Sequence, residues 1–176
     1  ILSEISQDKE WGIATIDIKT AFLNAPIPKE DEPIYVTPPA IYGHFGMVKP
    51  GTIWRVNKAI YGLRQSPRLW GKERDKQLRL MRITLRNEKF KFLQSSIDVA
   101  LWTLVRDNEE LFDHNREVAG YLLTYVDDFL IAARKDMRNA IEEEISRLWK
   151  STSTGELNQG KHCLLYTSDA ADDETS

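Results

Sequence analysis

Two adjacent carboxylates, Asp127-Asp128, stand between the apolar runs Tyr121–Val126 and Phe129–Ala133. Few folds accommodate that pattern. Like charges a few Å apart repel, and burial of their flanks strips them of water, so the pair belongs at a hairpin tip or beside a cation. The flanking runs have strand length, which predicts a hairpin turning at the acids. A polar two-residue turn is one explanation, but tight primed turns favour glycine and neither position has one. A divalent cation is the other, because Mg2+ takes hard oxygen ligands and commonly shares them with phosphates. Asp17 is a third lone acid, near the end of the alternating, β-branched segment Trp11–Ile18. If that segment pairs with the hairpin, three carboxylates converge. Two-metal phosphoryl transfer requires such a set, one metal activating a hydroxyl and the other stabilising the leaving pyrophosphate.

The remaining elements follow from local chemistry. Lys19–Asn24 reads as a helical turn stopped by Pro26 and Pro28, and Pro33 to Gly51 as loop with a short extended piece at Ile34–Thr37. Ile53–Asn57 and Val99–Val105 read as strands, and Asp107–Glu117 as an exposed polar loop. Ser66-Pro67 is a helix start, with Ser as N-cap and Pro at the first helical position; the helix should reach Met81 and bury Trp70, Leu78 and Met81. Lys135–Lys150 carries the stripe Met137, Ile141, Ile145, Leu148 and Trp149 of an amphipathic helix. The expected fold class is α+β, an antiparallel sheet with helices packed on one face.

Charge narrows the partners. The chain of 176 residues holds 24 basic and 27 acidic side chains, a net −3 that on its face opposes nucleic acid. Residues 49–91, however, hold 13 Lys/Arg against 3 Asp/Glu, interleaved with Trp54, Tyr61, Trp70 and Phe90. Such a block outlines a phosphate-tracking surface or, more plainly, a solvated helix face. Residues 163–176 share no periodicity with the rest, and Cys163–Asp172 reads as an in-frame translation of a transposase-type sequencing adapter. We therefore expect 163–176 to be a non-native tail and 1–162 to be the domain. Without the tail's four acids the net charge passes from −3 to +1, and the single Cys goes with it. One Cys and three scattered His exclude a disulfide framework and a four-ligand Cys/His zinc site. No apolar run approaches the roughly 18 residues of a membrane helix, and no signal peptide or other address is evident, so no membrane partner is expected.

Three blocks carry a resemblance. Thr15-Ile-Asp-Ile-Lys-Thr-Ala-Phe-Leu-Asn24, Val56-Asn-Lys-Ala-Ile-Tyr-Gly-Leu-Arg-Gln-Ser-Pro-Arg-Leu-Trp70 and Leu122-Leu-Thr-Tyr-Val-Asp-Asp-Phe-Leu-Ile131 resemble, in order, blocks of copia-type (Pseudoviridae) retrotransposon reverse transcriptase. The likeness extends over roughly residues 1–160. It implies a polymerase palm with partial fingers, taken from a Pol polyprotein, and RNA-directed DNA polymerase activity. Asp17 and Asp127 match the metal ligands and Asp128 the neighbouring acid, with two Mg2+ ions as cofactor and Mn2+ as a substitute. Phe22 matches the residue beneath the incoming sugar, where an aromatic ring excludes a ribose 2′-hydroxyl. Tyr61 and Gly62 match dNTP-binding positions. Arg64, Ser66, Pro67 and Arg68, with Lys72 beyond them, match the template side, and Tyr125 the contact with the primer end. The implied partners are an RNA or DNA template with primer, dNTPs, and the integrase and RNase H regions of the polyprotein. The implied location is a cytoplasmic particle.

The departures are specific. Tyr61 stands where retroviral enzymes have Gln, as copia-type sequences commonly do, and Asn24-Ala25 replaces the more usual Asn-Gly. The triphosphate-gripping fingers segment, the thumb and RNase H are expected to lie outside this chain. That leaves an alternative, a catalytically inactive nucleic-acid-binding remnant. A nucleotide cyclase, another palm-type enzyme, is disfavoured because it needs neither Phe22 nor the Gly62–Pro67 segment.

Overall fold

The computed structural model describes residues 10–108 and 117–156. Nine strands and three α-helices occur among them: β1 (Trp11–Ile18), β2 (Ile34–Val36), α1 (Ala40–His44), β3 (Trp54–Val56), α2 (Ser66–Leu80), β4 (Arg82–Leu85), β5 (Glu88–Gln94), β6 (Leu101–Arg106), β7 (Gly120–Tyr125), β8 (Asp128–Arg134), α3 (Lys135–Leu148) and β9 (Ser151–Glu156). A 3-10 turn, Ala21–Asn24, follows β1. The class is α+β, as expected.

Seven strands form one antiparallel sheet in the order β4-β5-β6-β7-β8-β1-β9. Period-two alternation divides its side chains between two faces. Ile16, Ile18, Phe129, Ile131, Leu122, Trp102, Leu104, Phe92, Phe90 and Ile83 all join one buried cluster. Cross-strand register makes this a single face, since Ile16 lies opposite Phe129, Leu122 opposite Ile131 and Phe92 opposite Leu104. Leu69, Trp70 and Leu78 of α2 and Met137, Ile141 and Ile145 of α3 pack into the same cluster. Both long helices therefore cover one side of the sheet. Trp70 and Phe129 each meet the ring of Trp149 edge-on, at 5.3 and 5.9 Å between centroids. Each fully buried side chain of this size contributes about 2–3 kcal/mol of transfer free energy.

Sequence reading and structure differ in five places outside the acid-bearing turn. The hairpin β4–β5 has no counterpart among the predicted elements, because its residues lie in the basic block. Its two-residue turn, Arg86-Asn87, has φ of 52° and 67°, a primed turn for which Asn is well suited. Ile83, Leu85, Phe90 and Phe92 alternate about it, a signal that the charges obscured. Edge strand β9, rich in Ser and Thr, is the second addition; polar edges discourage pairing with other chains. The third is α1, which interrupts the predicted loop and belongs with the small β2–β3 sheet. Fourth, Ser66 does not cap α2: Gln65 is the cap residue, Ser66 is already helical, and its hydroxyl donates to the Ile60 carbonyl at 2.6 Å. Fifth, α3 stops at Leu148, whose side chain is exposed, whereas Trp149 just beyond turns into the core. The predicted Asp107–Glu117 loop lies mostly outside the described residues, and the 163–176 tail entirely so.

Candidate active site

Strands β1 and β8 are registered so that Asp17 lies opposite Asp128, and Asp128 is paired on its other side with Tyr125 of β7. Their neighbours Ile16, Ile18, Phe129 and Thr124 are buried beneath the helices. Asp17, Tyr125 and Asp128 therefore emerge on the opposite, helix-free face. Directly opposed residues have Cβ atoms about 4.5–5.5 Å apart. The strand pairing on which the sequence made that convergence conditional is present, and it brings Asp17 and Asp128 opposite each other.

The turn itself is displaced by one residue from the predicted one. It consists of Val126 and Asp127, and Asp128 already belongs to β8. Val126 has φ 51°, a left-handed conformation costly for a β-branched residue. Both turn carbonyls are held. The Ile18 N–H donates to the Asp127 carbonyl at 2.8 Å, and the indole N–H of Trp70 donates to the Val126 carbonyl at 2.6 Å.

Partial burial pushes the Asp128 carboxyl above its ordinary pKa, and the charges of Asp127 and Asp17 push it further; Lys19 acts in the opposite direction. The Lys19 ammonium is ion-paired with Asp17. Hard carboxylate oxygens that repel one another are the donor chemistry that Mg2+ takes. As they stand, no three His, Cys, Asp or Glu side chains among the described residues are grouped to hold one metal ion. A metal ion bound by all three would need these side chains to turn towards a common point.

The first and second sequence blocks meet next to this turn. Phe22, half-buried in the 3-10 turn, lies against Tyr61 with ring centroids 4.6 Å apart and planes inclined at 53°. Tyr61 is itself exposed. Gly62 adopts φ 90°, a conformation strained for any side chain even though a Cβ there would meet nothing within 4 Å. Arg64, Pro67, Arg68 and Lys72 are exposed. Arg68 and Lys72 are one helical turn apart on α2, on the side away from Trp70. Arg68 reaches Asp31 at 4.0 Å, and Arg64 and Lys72 have no ion pair among the described residues. Ser66 is the exception: it is buried and serves the Tyr61–Gln65 loop from inside. The first turn of α2 also offers little to an anion, because the Ser66 N–H donates to Leu63 and Pro67 has none. The wider basic block is no uniform stripe, since Arg74, Lys76, Arg82, Arg86 and Lys91 are ion-paired within the fold.

The family model described as reverse transcriptase (RNA-dependent DNA polymerase) matches residues 1–159. The chain belongs to the reverse transcriptase family. Within that family it is 32% identical over 131 residues to the retrovirus-related Pol polyprotein from transposon RE2 of Arabidopsis thaliana, covering 74% of this chain. Identity to the corresponding RE1 polyprotein is 30% over the same length. A putative transposon Ty5-1 protein of Saccharomyces cerevisiae is 27% identical over 145 residues, covering 82% of the chain. The chain spans 7% of the length of each Arabidopsis polyprotein and 40% of the yeast protein. No solved structure matches it. The resemblance drawn from the three blocks is thereby borne out.

Two residues of this reverse transcriptase domain that contact the acid-bearing segments were not singled out by the sequence. Lys19, two residues after Asp17 in a strand period, is the counter-charge to the acids. Trp70 was expected only to fill the core. The available signal was its indole N–H, which requires an acceptor wherever the ring is buried.

Proposed function

We propose that the chain is the palm-centred part, with partial fingers, of an RNA-directed DNA polymerase that adds dNTPs to a primer 3′-hydroxyl. One observation carries this reading: in a member of the reverse transcriptase family, Asp17 and Asp128 are register partners on a helix-free sheet face, with Asp127 in the adjoining turn. Two Mg2+ ions, or Mn2+ in their place, would activate the hydroxyl and stabilise the pyrophosphate. The residues that hold them in this reading are Asp17 and Asp127, with Asp128 alongside. Phe22, braced by Tyr61, bounds the sugar position and excludes a 2′-hydroxyl. Gly62 lets backbone approach the nascent base pair. Arg64, Arg68 and Lys72 meet template phosphates without sequence preference, so binding weakens as salt rises. Tyr125, exposed beside Asp128, meets the primer end in this reading. Template with primer, dNTPs and the integrase and RNase H regions of the polyprotein are the partners in this reading. In this reading the domain extends to residue 162 and the segment 163–176 is a non-native tail, a translated sequencing adapter; amplification of the source locus checks that boundary.

A second reading, a nucleic-acid-binding remnant without chemistry, draws on the Lys19–Asp17 ion pair, which already neutralises one of the acids. Primer extension by the complete polymerase separates the two. Asp127→Asn should reduce incorporation at least about 100-fold, equivalent to the few kcal/mol that a metal ligand supplies at the transition state. Circular dichroism and template affinity should remain near those of the unsubstituted protein. Undiminished extension removes Asp127 from the ligand set. Template binding without extension by the unsubstituted polymerase favours the remnant.

A further inference from the structure

We propose that Trp70 is a positioning residue for the catalytic turn: its indole N–H holds the Val126 carbonyl and so keeps Asp127 presented between Asp17 and Asp128. The inference rests on the polymerase reading for the role of Asp127, but the tether itself is a matter of geometry. The Nε1–O distance is 2.6 Å and joins residues 56 apart in sequence. Trp70 is 1% exposed, so water does not compete for the bond. The ring cannot drift, because Trp149 stands edge-on to it at 5.3 Å and Phe129, the residue after Asp128, stands edge-on to Trp149 in turn.

Val126 is where a tether is needed. A two-residue hairpin turn with positive φ at its first position favours glycine, and here that position is β-branched. A strained conformation persists only when its surroundings over-determine it. Ile18 holds the Asp127 carbonyl from the sheet side, and Trp70 supplies the second restraint, on the preceding carbonyl, from the helix side. A ring of the same shape without the N–H would fill the same space without a donor, so the indole nitrogen is the functional part of the side chain. Because α2 presents Arg68 and Lys72 to solvent on its other side, one short helical segment connects the basic ridge to the acid-bearing turn.

The test replaces Trp70 with benzothienylalanine, which substitutes sulfur for the N–H and preserves the ring, alongside Trp70→Phe and the double variant Trp70→Phe, Val126→Gly. Two readouts are taken on the complete polymerase: hydrogen exchange at the amides of residues 125–128 without metal, and steady-state primer extension with kcat and KM separated. The isosteric replacement should accelerate exchange at the turn about tenfold or more while leaving amides of β5 unchanged. It should lower kcat about 10–100-fold, as expected for a misplaced ligand, with KM for dNTP nearly constant. Val126→Gly, by relieving the strain, should recover part of the kcat that Trp70→Phe loses. Turn exchange or kcat at the unsubstituted level in the isosteric variant overturns the proposal, as does acceleration spread equally over β5. If the unsubstituted polymerase does not extend primers, the polymerase reading falls and turn exchange alone decides the tether.

Discussion

Replacing Ser66 with aspartate distinguishes the observed start of α2 from the one that the sequence suggests. At an N-cap, Asp serves as well as Ser, and its charge gains a further 0.3–1 kcal/mol, roughly, from the helix dipole. Were Ser66 a cap, Ser66→Asp would therefore be neutral or slightly stabilising. In the structure Ser66 is 1% exposed, and its hydroxyl donates to the Ile60 carbonyl at 2.6 Å. A carboxylate there would oppose acceptor to acceptor. The lost hydrogen bond and the unsatisfied carbonyl together cost about 1–3 kcal/mol, and desolvation of the new charge brings the total to about 3–5 kcal/mol. That is a fifth or more of the stability of an ordinary domain, about 5–15 kcal/mol. Urea unfolding reads it directly. With a slope of about 2 kcal/mol/M the midpoint should fall by about 1.5–2.5 M. Ser66→Ala, which deletes the donor without adding charge, should fall about half as far. A Ser66→Asp midpoint within about 0.25 M of the original, roughly 0.5 kcal/mol at that slope, would refute the inward brace and restore the cap.

Three further outcomes are expected. Gly62→Ala should lose about 1 kcal/mol in the same unfolding assay, from backbone strain at φ 90° and not from collision, since the added Cβ meets nothing within 4 Å. Arg86→Asn should gain about 0.5–1 kcal/mol: Asn tolerates the φ of 52° that Arg86 adopts, and the exposed ion pair to Asp136 contributes little; an unchanged or lower midpoint counts against the turn assignment. Phe22→Ala in the complete polymerase should raise ribonucleotide use relative to deoxyribonucleotide about tenfold or more in competitive primer extension, and unaltered sugar discrimination removes Phe22 from the sugar pocket.

Much of the framework was legible because its cause is local. Trp11–Ile18 alternates and is β-branched, and the structure has β1 over those residues. The stripe Met137, Ile141 and Ile145 faces the sheet as its period demands. The three blocks identified the family, and Asp17 and Asp128 within them are register partners on one sheet face. Where local cues compete, reading failed. Strands β4 and β5 lay under a run of Lys and Arg whose charge outweighed the alternation of Ile83, Leu85, Phe90 and Phe92. β9 has no apolar alternation because it is an edge strand, stabilised by its ladder to β1. Ser66-Pro67 carries every mark of a helix start, yet Ser66 is turned inward by the need to satisfy the Ile60 carbonyl.

By itself, the sequence determined which residues are chemically competent: three carboxylates, an aromatic at position 22, a glycine at 62 and a concentrated basic block. These are properties of side-chain type and spacing, and the order of the blocks carries them. Only the tertiary structure decided how they meet. Asp17 and Asp128 are 111 positions apart in the numbering and become neighbours through cross-strand register. A one-residue slip would have sent one of them to the other face. Tertiary contact likewise moved the turn to Val126-Asp127 and brought the Trp70 indole to the turn carbonyl from 56 residues away. The reason is that hydrogen-bond partners and electrostatic neighbours are chosen by distance in space, which chain order does not encode.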